Sequence, residues 1–192
     1  MTGSKAFWRA LVFETVRAPG SAARTILQLH PSREALWTAL VLVGVLNTIL
    51  FTLTNIVAPV GAPVPAALTN PMIILGIVVG GIMLSAIAIL LSGRALGGKG
   101  TLSDILLLMI WLQALRVLVQ GAMLILLFID PSFAVAFIMA VNVLSIWILL
   151  HFVNAAHHLD SLMRSAGVLV AAVIGLSLIL SLLGISILGS AL

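Results

Sequence analysis

The sequence predicts an all-α fold: an integral membrane bundle of five transmembrane helices with a short amphipathic N-terminal helical segment before it. Three observations carry this expectation. Of 192 residues, 62% are hydrophobic and 7% charged, whereas a soluble domain carries about 25% charged residues. Five apolar runs are long enough to cross a hydrocarbon core of ~30 Å at ~1.5 Å per residue. The basic residues that flank these runs fall in alternate connections. Such a chain cannot cover a water-facing surface, which excludes a soluble enzyme or a DNA-binding module. The net charge of +4 is spread thinly and suits lipid headgroups rather than nucleic acid. With no cysteine, no disulfide or thiolate chemistry is available.

Residues 1–34 form the expected N-terminal segment. Ser4 can cap a helix whose apolar face is Trp8, Leu11, Val12 and Val16, with Phe7 beside it. This is helical spacing, and Lys5, Arg9 and Arg17 lie on the other side. Pro19-Gly20 ends that helix. A second piece over about Ser21–Leu29 carries Ile26 and Leu27. A basic helix bearing aromatics beside a membrane is an interfacial anchor; a docking helix for a partner protein is the alternative.

Residues 35–192 form the membrane domain. Its spans are expected at about 35–57, 72–94, 104–129, 132–153 and 165–188. The first is longer than a signal-peptide core and has more than thirty residues ahead of it, so cleavage is not expected. Pro59, Pro63, Pro65 and Pro71 make Ala58–Pro71 a loop, because proline lacks the amide hydrogen a helix interior needs. Gly97, Gly98 and Gly100 break the chain after the second span. Asp130-Pro131-Ser132 turns it after the third. Polar His157–Arg164 separates the fourth from the fifth.

Charge sets the orientation. The tail holds Lys5, Arg9, Arg17, Arg24 and Arg33, the second connection Arg94 and Lys99, and the fourth Arg164. The first and third connections hold no basic residue. The positive-inside rule then places the N-terminus in the cytoplasm and the C-terminus outside.

Gly97-Gly98-Lys99-Gly100-Thr101 invites comparison with a phosphate-binding loop and fails it. Gly100 separates Lys99 from Thr101, and the flanks are membrane helices rather than a strand. A turn explains it: glycine permits positive φ, and Thr101 or Ser103 caps the third span with Asp104 in its first turn.

The same run, Leu96 to Leu102, opening a membrane helix after two spans, resembles the central signature of the Yip family of five-pass membrane proteins. Trp147, then His157/His158-Leu159-Asp160-Ser161 and Arg164-Ala166, is similar to that family's segment joining spans four and five, and the tail around Pro19 is also similar. The sequence departs from the pattern where Gln113, Arg116 and Gln120 stand in a third span that often holds a proline. The resemblance implies a cytoplasmic N-terminus, five spans, and a role in membrane organisation or trafficking. Eukaryotic members, named for interaction with Ypt/Rab GTPases, carry long polar N-terminal domains that this short tail lacks. The family supplies no catalytic residues and no cofactor. The bias of seven arginines to two lysines is common in high-GC bacteria, so the expected location is a bacterial inner membrane.

A few further residues carry groups capable of chemistry. His151, His157, His158 and Asp160 could ligate a metal, but lack four well-spaced ligands. Histidines at a helix C-terminus also suit its dipole, so no tightly held metal is expected. Gly76, Gly80, Gly81 and Ser85 on the second span, and Gly167, Ala171 and Gly175 on the fifth, are expected to let helices approach closely.

Arg116 is the most informative position. It lies near mid-span, where a charge costs about 2.5–3.5 kcal/mol or more. Gln113 and Gln120 share its helix face. Asn142 on the fourth span and Asn47 on the first reach a similar depth. These groups form a candidate intramembrane polar site, with Arg116 expected to be held by the glutamines and asparagines. The favoured function is non-enzymatic: membrane organisation or protein interaction, with the lipid bilayer and a membrane-protein partner or homo-oligomer as partners and no nucleic acid. The alternative is a small transporter, channel or lipid-handling protein using the Arg116 layer. No Ser/His/Asp set, HExxH or paired carboxylate supports an intramembrane enzyme.

Overall fold

The computed structural model describes residues 5–57 and 69–189. The proline loop expected at Ala58–Pro71 lies almost wholly outside the described residues, as does Ser4. Among the described residues seven α-helices follow one another: α1 (Lys5–Arg17), α2 (Pro19–Leu27), α3 (Arg33–Val57), α4 (Pro71–Ala95), α5 (Leu102–Ile129), α6 (Pro131–His157) and α7 (Leu162–Gly189). Helices α3 to α7 are each long and apolar enough to cross a membrane, and the chain is an integral membrane protein.

The helix starts follow capping chemistry. Asn70 Oδ1 accepts from the Met72 amide at 2.9 Å, and Pro71 fills the first position of α4. Thr101 and Asp104 form a reciprocal capping box at α5, satisfying amides that have no partner within the helix. Asp130 ends α5 and caps α6, accepting from the Ser132 amide at 2.8 Å. Only Ala18 separates α1 from α2, because Pro19 suits the first helical position and starts α2 rather than leaving a gap. Helix α6 continues past Val153 to His157 and ends on His158 in the left-handed conformation (φ 53°).

The five long helices run up and down. α3 packs on α4 and α5, α4 on α5 and α7, α5 on α6, and α6 on α7. Helix α2 lies against α5 and α6, burying Pro19, Ala22, Ala23 and Ile26. The ends that carry Arg33, Arg94, Lys99 and Arg164 gather on one side of the bundle, here called the basic end.

The tail docks differently from the expected face. Leu11 (2% exposed) and Thr15 (0%) are buried in α1, while Trp8 (41%) and Val16 (44%) stay largely exposed. The cause is a side-on contact with α5. Trp111 Nε1–H donates to Thr15 Oγ1 at 3.0 Å, Thr15 donates to the Leu11 carbonyl at 2.8 Å, and Trp8 stacks on Trp111 with ring centroids 6.0 Å apart.

The buried core is lopsided. In α3 the buried residues run from Leu36 to Thr48, and in α5 four of five lie between Ile105 and Ile110. In α6, Ile148, Phe152, Val153 and Ala156 are buried near the basic end, against Ala134 alone near the other. The glycine faces do not act as expected. A β-carbon at Gly76, Gly80, Gly81 or Gly175 would meet nothing within 4 Å. The close approach is instead at Gly44, where an added β-carbon would lie 2.5 Å from Val79 Cγ2.

Candidate functional site

Asn47, Gly81 and Arg116 each lie fourteen residues from the basic end of their helix, at Arg33, Ala95 and Leu102 respectively. At ~1.5 Å per residue this is about 21 Å in. At that level α3, α4 and α5 part to leave a cleft of about 440 Å³. Its polar lining is Asn47, Ser85, Gln113, Arg116 and Gln120; its apolar lining is Phe51, Ile74, Ile77, Val78, Ile82 and Met109, with Gly81. A pocket of several hundred Å³ with a few convergent polar groups has the character of a small-molecule site.

Four of the five candidate polar residues therefore share one cavity, and Asn142 does not. It is exposed on the surface of α6 and does not line the cleft. Depth along a helix is one coordinate and the direction faced is another; Asn142 matches only the first. The hydrogen bonds expected of Arg116 are not formed either. Its guanidinium makes no hydrogen bond or ion pair among the described residues. Asn47 Nδ2 donates to its own Val43 carbonyl at 2.7 Å, which leaves its Oδ1 and a second N–H to offer. Gln120 Oε1 is buried without a partner among the described residues.

The Gly97, Gly98, Lys99, Gly100 loop has a role the sequence did not disclose. Gly97 takes φ +86°, and the Gly98 amide donates back to the Gly93 carbonyl at 2.8 Å. This folds the chain over His157, which is 0% exposed. A β-carbon at Gly93 would overlap the His157 ring; at Gly98 or Gly100 it would lie 2.6 or 2.8 Å from Nδ1. The Lys99 amide donates to the His157 carbonyl at 3.0 Å. Three glycines thus form a seat for one imidazole, and α4, α5 and α6 lock together at the basic end. The ring lies beside the Ile89 carbonyl, and among the described residues neither nitrogen makes a well-formed hydrogen bond.

The four residues weighed as metal ligands are split by this arrangement. His157 points into the glycine seat. His151, His158 and Asp160 line a different cavity of about 480 Å³, shared with Arg24, His30, Asp104 and Asn154 beside α2. Among the described residues no three His, Cys, Asp or Glu side chains stand together as a metal cradle. His30, His158 and Asp160, the non-glycine residues with left-handed φ, all border this cavity. Asn154 holds the His158–Ser161 turn: its Oδ1 accepts from the Ser161 amide at 3.2 Å.

Two of the segments that resemble the family meet in space, since the glycine loop after span two closes on His157 at the end of span four. The family model described as the Yip1 domain matches residues 13–184, from the last part of α1 through most of α7. No curated protein and no solved structure matches the chain. With nearly the whole chain covered, five apolar helices and the loop and histidine segments joined, the chain belongs to the Yip1-domain family.

Proposed function

We propose that this chain is a non-catalytic, membrane-organising protein of a bacterial inner membrane, with the N-terminus in the cytoplasm and the C-terminus outside. The observation that carries the reading is the two-sided tail. One side of α1 and α2 is buried against α5 and α6 through Leu11, Thr15, Ala22, Ala23 and Ile26. The other leaves Phe13 and Val16 exposed among Lys5, Arg9 and Arg17. Apolar and basic groups side by side suit the headgroup boundary of an anionic leaflet. The same surface is available to a membrane-protein partner or a second copy of the chain. The test is quantitative crosslinking in native membranes, comparing the parent chain with Arg9→Glu/Arg17→Glu. One partner crosslinked in fixed proportion, and lost in the variant, is expected. Identical crosslinking patterns from the two chains would remove the tail from the function.

The Arg116 cleft favours a second reading, that the chain handles lipid. A cavity at mid-bilayer depth with a charge its own residues leave unpaired is not needed for an interaction role. Co-purification of stoichiometric phospholipid with the parent chain, in the absence of a protein partner, is the result this reading expects.

A further inference from the structure

The inference rests on the second, lipid-handling reading and names the ligand of that cleft. The five carboxylates of the chain are Glu14, Glu34, Asp104, Asp130 and Asp160. Glu14 is in the tail, Glu34 and Asp104 are in first helical turns, Asp130 joins α5 to α6, and Asp160 follows α6. None reaches the level of Arg116. A guanidinium has five donors, accepts nothing, and stays charged in a protein. At mid-bilayer depth this charge is costly until an anion or water meets it.

The lining narrows the choice of anion. One positive charge is neutralised by one negative charge. A dianionic phosphomonoester would leave net charge in the bilayer. A zwitterionic lipid brings an ammonium group, and the cleft has no carboxylate to receive it. Asn47 Oδ1 and the glutamine side chains instead offer neutral acceptors and donors, which suit hydroxyl groups. The walls from Ile74 to Ile82 and Phe51 are apolar and suit an acyl chain.

We propose that the cleft between α3, α4 and α5 binds a singly anionic phosphodiester lipid with a hydroxylated headgroup, of the phosphatidylglycerol type, with Arg116 as its counter-ion. Arg116 forks onto the phosphodiester, Asn47 and Gln113 meet headgroup hydroxyls, and one acyl chain lies along the α4 wall.

The test is native mass spectrometry of the full chain released from detergent with defined probes: phosphatidylglycerol, phosphatidylethanolamine, phosphatidic acid and inorganic phosphate. The parent chain is expected to retain one phosphatidylglycerol about tenfold or more better than phosphatidylethanolamine. Arg116→Gln is expected to lower that retention about tenfold or more, the loss of a charge-assisted contact. Gly81→Phe leaves Arg116 in place and grows into the cleft, since a β-carbon there meets nothing within 4 Å. It is expected to abolish retention while circular dichroism stays that of the parent. Undiminished retention in either folded variant overturns the site. Displacement of the lipid by inorganic phosphate overturns the lipid assignment in favour of a free-anion site. Retention of phosphatidylethanolamine or phosphatidic acid equal to that of phosphatidylglycerol, dependent on Arg116, overturns the headgroup assignment and leaves lipid handling standing. A parent chain that retains no lipid of any kind overturns both.

Discussion

Replacing Gly93 with alanine probes the glycine seat directly. The added β-carbon overlaps three atoms of the His157 ring, and that ring is fully buried with no free direction in which to swing. Overpacking of this kind costs about 1–3 kcal/mol. Alanine in place of glycine inside α4 returns about 0.5–1 kcal/mol, for a net loss of up to about 2.5 kcal/mol. His157→Ala alone opens a cavity, worth roughly 2–5 kcal/mol for a large side chain. It also removes a buried polar ring, which offsets part of that cost. In the double variant the new methyl enters the vacated space. The two changes should therefore couple favourably by the overpacking term, about 1–3 kcal/mol, within the range for touching residues. Reversible unfolding in mixed detergent micelles, followed by tryptophan fluorescence, measures all four corners of the cycle. A Gly93→Ala cost that is the same with and without His157 would refute the seat.

Three further outcomes are expected. Thr15→Val strands the Trp111 indole N–H, costs about 1–2 kcal/mol, and should speed amide hydrogen exchange in α1 while leaving α4 unchanged; unchanged α1 exchange would show that the bond does not hold the tail. Reporter fusions after Gly98, Ser132 and Ser161 should alternate in sidedness, cytoplasmic at Gly98 and Ser161; a shared side for Gly98 and Ser132 would remove the third span. Elemental analysis of the purified chain should find no stoichiometric transition metal; one lost on His151→Ala/His158→Ala would assign a metal to the cavity beside α2.

The spans were legible in the sequence because lipid imposes a length, and the caps were legible because Asn70, Thr101 and Asp130 can act within a few residues of themselves. The depth of Arg116, Asn47, Gln113 and Gln120 followed from counting. The direction each faces did not. A membrane helix is apolar toward lipid and toward its neighbours alike, so the stripe that orients a soluble helix is faint. Asn142 was misplaced for that reason. In α1 a stripe existed, but the hydroxyl of Thr15 and the indole of Trp111 pair across 96 positions; no local pattern announces such a bond. The seat for His157 likewise joins residues from two connections. Its one local sign was an excess of glycine over what a single turn requires, since only Gly97 has positive φ.

The lopsided core gives the bundle the mechanics of a tuning fork. Glycine, imidazole and the Lys99–His157 backbone bond make the stem, where α4, α5 and α6 cannot move apart without breaking packed contacts. The tines are the distal halves of α3, α4 and α5, which bury few side chains. Any splaying of the tines about this stiff base widens their free ends most and opens the cleft at Arg116, at mid-helix, in smaller proportion. Entry to it is governed by the leaflet around the tines, and stiffening that leaflet should slow exchange at the cleft without touching a residue that lines it.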